Sequence, residues 1–136
     1  MNRACALAVA ATFALLTTAP PTTTAHHSFA AEYDRNRTIK VTGSVTMVEW
    51  TNPHARLYVD GKDETGKQQV WDFELGPPNG LMRNGWRRDS LKPGHQVVVE
   101  GFRSKTSNVV ANARSVKLAD GRQVLAGSSF DTGPAE

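Results

Sequence analysis

Residues 41–54 read Val-Thr-Gly-Ser-Val-Thr-Met-Val-Glu-Trp-Thr-Asn-Pro-His, and this stretch decides the fold. From Ile39 to Met47, apolar residues and one glycine occupy the odd positions and polar residues the even ones. That alternation is typical of a half-buried strand. At Val48 and Trp50 the apolar phase moves by one residue, which would exchange the buried and exposed faces. A bulge or sharp bend explains the change and would let one long strand serve two sheets.

The rest of the chain predicts further short strands. They lie at about residues 55–59, 69–75, 96–102, 109–118 and 122–125. Residues 78–86 form the one predicted helix of the body, because proline suits a helix start and Gly85 a helix end. Three strands, a helix and two strands, with a long bent first strand, is the order of an OB-fold barrel. The sequence therefore predicts an all-β protein, a small OB-fold-like barrel of five to six strands with one short helix. Another small barrel or a sandwich is the alternative.

The chain begins with the pattern of a secretory signal peptide. A basic start, an apolar core over residues 4–16 and small residues at 17–25 are the three regions of such a leader. Pro20 disfavours cleavage after Ala19, so we place the cut after Ala25. The predicted organisation is a signal peptide at 1–25, a barrel with an N-terminal arm at 26–127 and a flexible tail at 128–136. The leader predicts a periplasmic protein.

Composition narrows the classes of function. The only cysteine, Cys5, lies in the predicted leader, so the exported domain has no disulfide and depends on its core. Lys and Arg number 16 against 13 Asp and Glu, and Arg3 leaves with the leader, so nucleic acid is a poor candidate partner. The sequence contains no nucleophile motif and no phosphate-binding loop. We expect a monomeric, non-enzymatic protein without a membrane span.

Three histidines stand where they could bind a metal. After cleavage His26 would offer its free amine and its ring nitrogen together, and the ring of His27 or His54 would complete a histidine brace. Nitrogen ligands in planar geometry favour Cu(II). Cleavage one residue earlier would place a histidine third, which is another Cu(II) arrangement. The competing interpretation is that the two terminal histidines are only solvated.

Carboxylates near these histidines could orient a ring nitrogen. Glu49 and Asp34 are the two candidates, with Glu32 beside them. Phe29 and Tyr33 are four residues apart, so one helical turn would lay both rings of the arm against the body.

A second hypothesis is a surface for an unknown periplasmic protein or a small anion. Its residues are Trp50, Trp71, Trp86, Arg83, Arg87 and Arg88. Core packing is the competing interpretation for the strand tryptophans. Asp72 and Glu74 share one face of the third strand, where paired carboxylates usually only solvate the sheet. A copper oxygenase-like enzyme is the third and weakest hypothesis, because so short a chain leaves little room for a substrate face.

Several motifs resemble one family of small exported bacterial proteins. They are His26-His27-Ser28-Phe29, Tyr33-Asp34, Gly43-Ser44-Val45, Glu49-Trp50-Thr51-Asn52-Pro53-His54, Gly85-Trp86, residues 88–94 and Val99-Glu100-Gly101. The family is known only as a domain of unknown function. The resemblance implies periplasmic residence and an OB-like barrel, and it implies no established activity. Because the pattern includes all three candidate histidines, it favours the metal hypothesis.

Overall fold

The computed structural model describes residues 29–126. This part of the chain contains two short helices, α1 (Phe29–Glu32) and α2 (Pro78–Arg83). Its strands are β1 (Tyr33–Glu49), β2 (Arg56–Asp63), β3 (Gln68–Glu74), β4 (Gln96–Ser104), β5 (Val110–Leu118) and β6 (Gln123–Leu125). Within this range, neither helix is long and apolar enough to cross a membrane.

Five strands close into a ring. β1 pairs with both β2 and β4, β4 pairs with β5, and β3 joins β5 to β2. The β3–β5 pairing is parallel and the other four are antiparallel. β6 pairs with the far end of β5. The prediction of an all-β, OB-fold-like barrel is confirmed.

β1 pairs with two neighbours within one closed sheet, so it does not serve two separate sheets as the sequence suggests. It pairs with β4 at Tyr33 and, after a register shift, from Thr38 to Ser44, and it pairs with β2 from Val41 to Glu49. A register shift between Val45 and Met47 is the bulge that the phase change indicates. The strand begins earlier than predicted, because residues 35–38 belong to it although the sequence suggests a polar connection there. Their side chains are all exposed, so they give no hydrophobic strand signal.

α2 ends sooner than residues 78–86 predict. Leu81 is fully buried as expected, but Met82 is 51% exposed and does not face the core. After Arg83 the chain turns through Gly85, which has a positive φ of 88°. The backbone nitrogen of Trp86 then donates to the carbonyl of Leu81, which satisfies a carbonyl at the helix end. The glycine stop is therefore real, but it follows a helix of only six residues.

The barrel leaves no room for a side chain where β1 and β2 face each other at Gly43 and Gly61. A Cβ on Gly43 would collide with the carbonyl oxygen of Asp60, which is backbone and cannot swing aside. We expect Gly43→Ala to lower the free energy of unfolding by about 2 kcal/mol, measured by urea denaturation. Gly80→Ala in α2 is the control, since its new Cβ would come no closer than 3.4 Å to Pro77. Equal losses of stability in the two variants would contradict the view that β1 and β2 leave no room for a side chain at Gly43.

Candidate functional site

A row of side chains crosses the outer wall of the barrel. Strand pairing places Phe102 opposite Asn112 and Asn112 opposite Glu74. Glu74 in turn lies opposite Arg56. Paired residues project from the same face of a sheet, so these four form one outer row. The chain neighbours of its three polar members all belong to the core, so the row faces away from it.

The N-terminal arm lies over this outer row. The ring of Phe29 lies 5.6 Å from the ring of Phe102 and 5.4 Å from that of Tyr33. Both arm aromatics are buried, and Tyr33 lies beside Glu74, close enough for its hydroxyl to interact with the carboxylate. Burial and this carboxylate hold the pKa of Tyr33 well above its usual range, so the hydroxyl keeps its proton. The prediction that a helical turn lays two aromatics on the body is confirmed.

Glu74 is the centre of the outer row, and its side chain is only 9% exposed. Its Oε1 accepts a hydrogen bond from Asn112 Nδ2 at 3.3 Å and lies 3.5 Å from His54 Nδ1. Its Oε2 lies 4.0 Å from Nη1 of Arg56. A buried carboxylate needs such partners to offset its lost hydration. The expectation of a merely solvating carboxylate is therefore wrong for Glu74, because the arm covers it.

Asp72, the second carboxylate on this face, has a separate partner. It accepts two hydrogen bonds from Arg56, at 2.8 Å from Nε and 2.7 Å from Nη2. These bonds hold the pKa of the Arg56 guanidinium above its usual range. Arg56 therefore keeps its charge and presents its remaining nitrogen, Nη1, towards Glu74.

An open cleft of about 270 Å³ lies between the arm and the loop that joins β4 to β5. Its lining consists of Glu32, Tyr33, Arg56, Glu74, Ser104, Thr106, Ser107 and Val110. Beneath it, Asn112 is fully buried, and its Oδ1 has no hydrogen-bond partner. The cleft makes Glu74 reachable from one side.

His54 lies in the connection between β1 and β2, directly after a cis Asn52–Pro53 peptide bond. Its side chain is 32% exposed, and its Nδ1 faces Glu74. Among residues 29–126, no three His, Cys, Asp or Glu side chains form a group that could hold a metal ion. His54 is thus the predicted metal-site histidine that the structure describes.

The other predicted metal-site residues fall in different places. His26 and His27 lie outside the described residues, as do the signal peptide and the tail. Asp34 accepts a hydrogen bond from the backbone of Asn36, and Glu49 accepts one from the Tyr58 hydroxyl at 3.3 Å. Within the described chain, the carboxylate at ion-pair distance from His54 belongs to Glu74 and to neither of them.

The structure does not bring the three tryptophans together on an exposed face. Trp71 and Trp86 are 1% and 2% exposed, and Trp50 packs partly buried against the core. The arginines of that second hypothesis, Arg83, Arg87 and Arg88, are exposed around the end of α2. The core interpretation therefore holds for Trp71 and Trp86, because both side chains are buried in the core of the barrel.

Sequence reasoning missed the role of Glu74. Because Glu74 alternates with Phe73 and Leu75, its side chain is predicted to project from the outer face of the barrel. The alternation does not indicate which residues cover that face. One signal was available: Phe102 is out of phase with the buried Val97 and Val99, so the wall carries an aromatic that needs a partner. The arm supplies that partner and buries Glu74 beside it.

A family model described as a family of unknown function, DUF6152, matches residues 14–112. The chain belongs to DUF6152. The resemblance indicated by the sequence motifs is confirmed, and the matched range includes the arm, His54 and the outer row. Membership assigns no activity to this DUF6152 protein. Neither the search of curated proteins nor the search of solved structures found a match.

Proposed function

We propose that this DUF6152 protein is an exported, non-enzymatic binding module that holds Cu(II) between its N-terminal histidines and His54. One observation carries the proposal: Glu74 shares a cleft with Tyr33 of the arm, and its carboxylate lies 3.5 Å from His54 Nδ1. The arm that follows the terminal histidines is thereby anchored beside the one described histidine on this wall. Docking of the arm supports the proposal, because Phe29, two residues after His27, packs against the barrel at Phe102.

Chain length supports the meeting of these ligands. An extended chain spans at most about 3.6 Å per residue, so the Cα atom of His27 lies within about 7 Å of that of Phe29. The same limit for His26 is about 11 Å. Because Phe29 is fixed against Phe102, both terminal histidines are tethered to the outer wall. A tether of this kind raises the effective concentration of one ligand near another.

The chemistry of the site favours a cation. Cleavage after Ala25 would give His26 a free amine, and amine and imidazole nitrogens together suit Cu(II). Near His54 the wall carries Glu74 and Asp72, while the only cation of the outer row, Arg56, is already bonded to Asp72. An excess of carboxylates attracts a metal ion and repels an anion. The anion hypothesis retains only the exposed arginines near α2, away from this row.

A calorimetric Cu(II) titration tests the proposal. The protein must be exported through its own leader so that the natural terminus is present. We expect one copper per chain, and at least about 100-fold weaker binding in the triple variant His26→Ala, His27→Ala, His54→Ala, since it lacks every ring ligand. His95→Ala is the control, because His95 accepts a hydrogen bond from the Lys92 backbone in a separate turn. Equal affinity in the wild type and the triple variant would overturn the proposal.

A further inference from the structure

We propose that Glu74 is a positioning residue that holds the neutral His54 ring as its Nδ1–H tautomer, so that Nε2 is the nitrogen offered to a metal. The part concerning the metal rests on the proposed copper site. The part concerning the tautomer is a property of the metal-free protein and can be measured without copper.

The direction of the contact sets the tautomer. A neutral imidazole has one nitrogen that donates and one that accepts, and an ionised carboxylate only accepts. His54 Nδ1 lies 3.5 Å from Glu74 Oε1, so the favourable arrangement places the hydrogen on Nδ1. The lone pair then resides on Nε2, on the opposite side of the ring from Glu74. Metal-binding histidines commonly donate their second ring N–H to a carboxylate in this way, which fixes the ring and raises its basicity.

Glu74 is itself held in place, which a positioning residue requires. Asn112 Nδ2 donates to the same Oε1 that faces His54, and Tyr33 lines the cleft beside the carboxylate. β3 holds the backbone of Glu74 between its partners Arg56 and Asn112 on the two neighbouring strands. A carboxylate that is held by packing and a hydrogen bond loses little further conformational entropy when it orients its neighbour. The arm thus contributes Tyr33 to the surroundings of Glu74.

Glu49 is the matched control, because sequence reasoning favoured it for this role. It also lies beside the β1–β2 connection, and its carboxylate accepts a hydrogen bond from Tyr58. In β1–β2 pairing Glu49 lies opposite Arg56, as Glu74 does across β2 and β3. The two glutamates therefore share a strand neighbour and differ in which of them faces His54.

The test is nitrogen NMR of the His54 ring in metal-free protein, at a pH where the imidazole is neutral. In the wild type we expect an N–H signal at Nδ1 and an unprotonated Nε2. In Glu74→Gln the new amide can donate to Nδ1, so the population should move towards Nε2–H. Glu49→Gln should leave the wild-type tautomer unchanged. A Cu(II) titration of the same variants should show about 10- to 100-fold weaker binding for Glu74→Gln alone.

The outcomes separate this inference from the proposed function. A wild-type His54 in the Nε2–H form overturns the positioning role whether or not the Glu74 variant folds. An unchanged tautomer in a folded Glu74→Gln protein does the same. If the wild type shows Nδ1–H and the variant shifts, but no copper binds, the positioning role stands and the copper proposal fails. A purely structural role for Glu74 would lower stability without moving the tautomer.

Discussion

Trp71→Ala is expected to lower the free energy of unfolding by about 3–5 kcal/mol, the usual cost of truncating a buried aromatic side chain. Trp71 is 1% exposed, and its indole nitrogen donates to the carbonyl of Gly61 at 3.1 Å. The guanidinium of Arg103 also lies over the ring, 5.4 Å from its centroid. The substitution would remove core volume and leave the Gly61 carbonyl without its donor.

Urea denaturation measures this loss, and Trp50→Ala is the matched control. Trp50 is only partly buried at the edge of the core, so its truncation should cost clearly less. If Trp71→Ala were as stable as the wild type, the ring could not be a core residue. Trp71 would then again be a candidate for the ligand-binding surface of the second hypothesis.

Phe29→Ala is expected to detach the arm, with a loss of about 3 kcal/mol in stability, at the lower end for a buried phenylalanine. Phe29 contacts Tyr33 and Phe102, and the Arg35 guanidinium lies 5.6 Å from its ring centroid. In the proposed copper site, this anchor holds the start of the arm on the barrel, and the substitution would release it. Copper affinity should therefore fall as well, because the tether no longer concentrates the ligands near one another.

Denaturation and a copper titration of one preparation measure both effects. Met82→Ala is the control, since Met82 is 51% exposed on α2 and belongs to neither the arm nor the outer row. It should change neither stability nor affinity by much. If Phe29→Ala lost stability but bound copper as tightly as the wild type, the arm and His54 would not share a metal.

Most strands of the barrel could be predicted from the sequence, because apolar and polar residues alternate along them. Alternating residues in β1 showed which side chains are buried, and the change of phase near Val48 indicated a bulge that the register confirms between Val45 and Met47. The four-residue spacing of Phe29 and Tyr33 likewise predicted a docked helical turn. These features are local, since each depends on residues close together in the chain.

The candidate site was harder to predict because it is assembled from distant strands. Glu74, Asn112 and Phe102 adjoin only after the parallel β3–β5 pairing forms, and no local pattern encodes that register. Glu74 also shares its cleft with Tyr33, which comes from the N-terminal arm. Choosing Glu49 as the carboxylate partner of His54 relied on nearness in sequence, whereas the fold brings Glu74 there from β3.

The most direct test of the copper account is an electron paramagnetic resonance titration of protein processed from its own leader. We expect one nitrogen-rich Cu(II) spectrum that saturates at one copper per chain and changes when His54 is replaced by alanine. Aquo-copper, a heterogeneous mixture of spectra, or a spectrum indifferent to His54→Ala would contradict a metal held between the arm and the barrel.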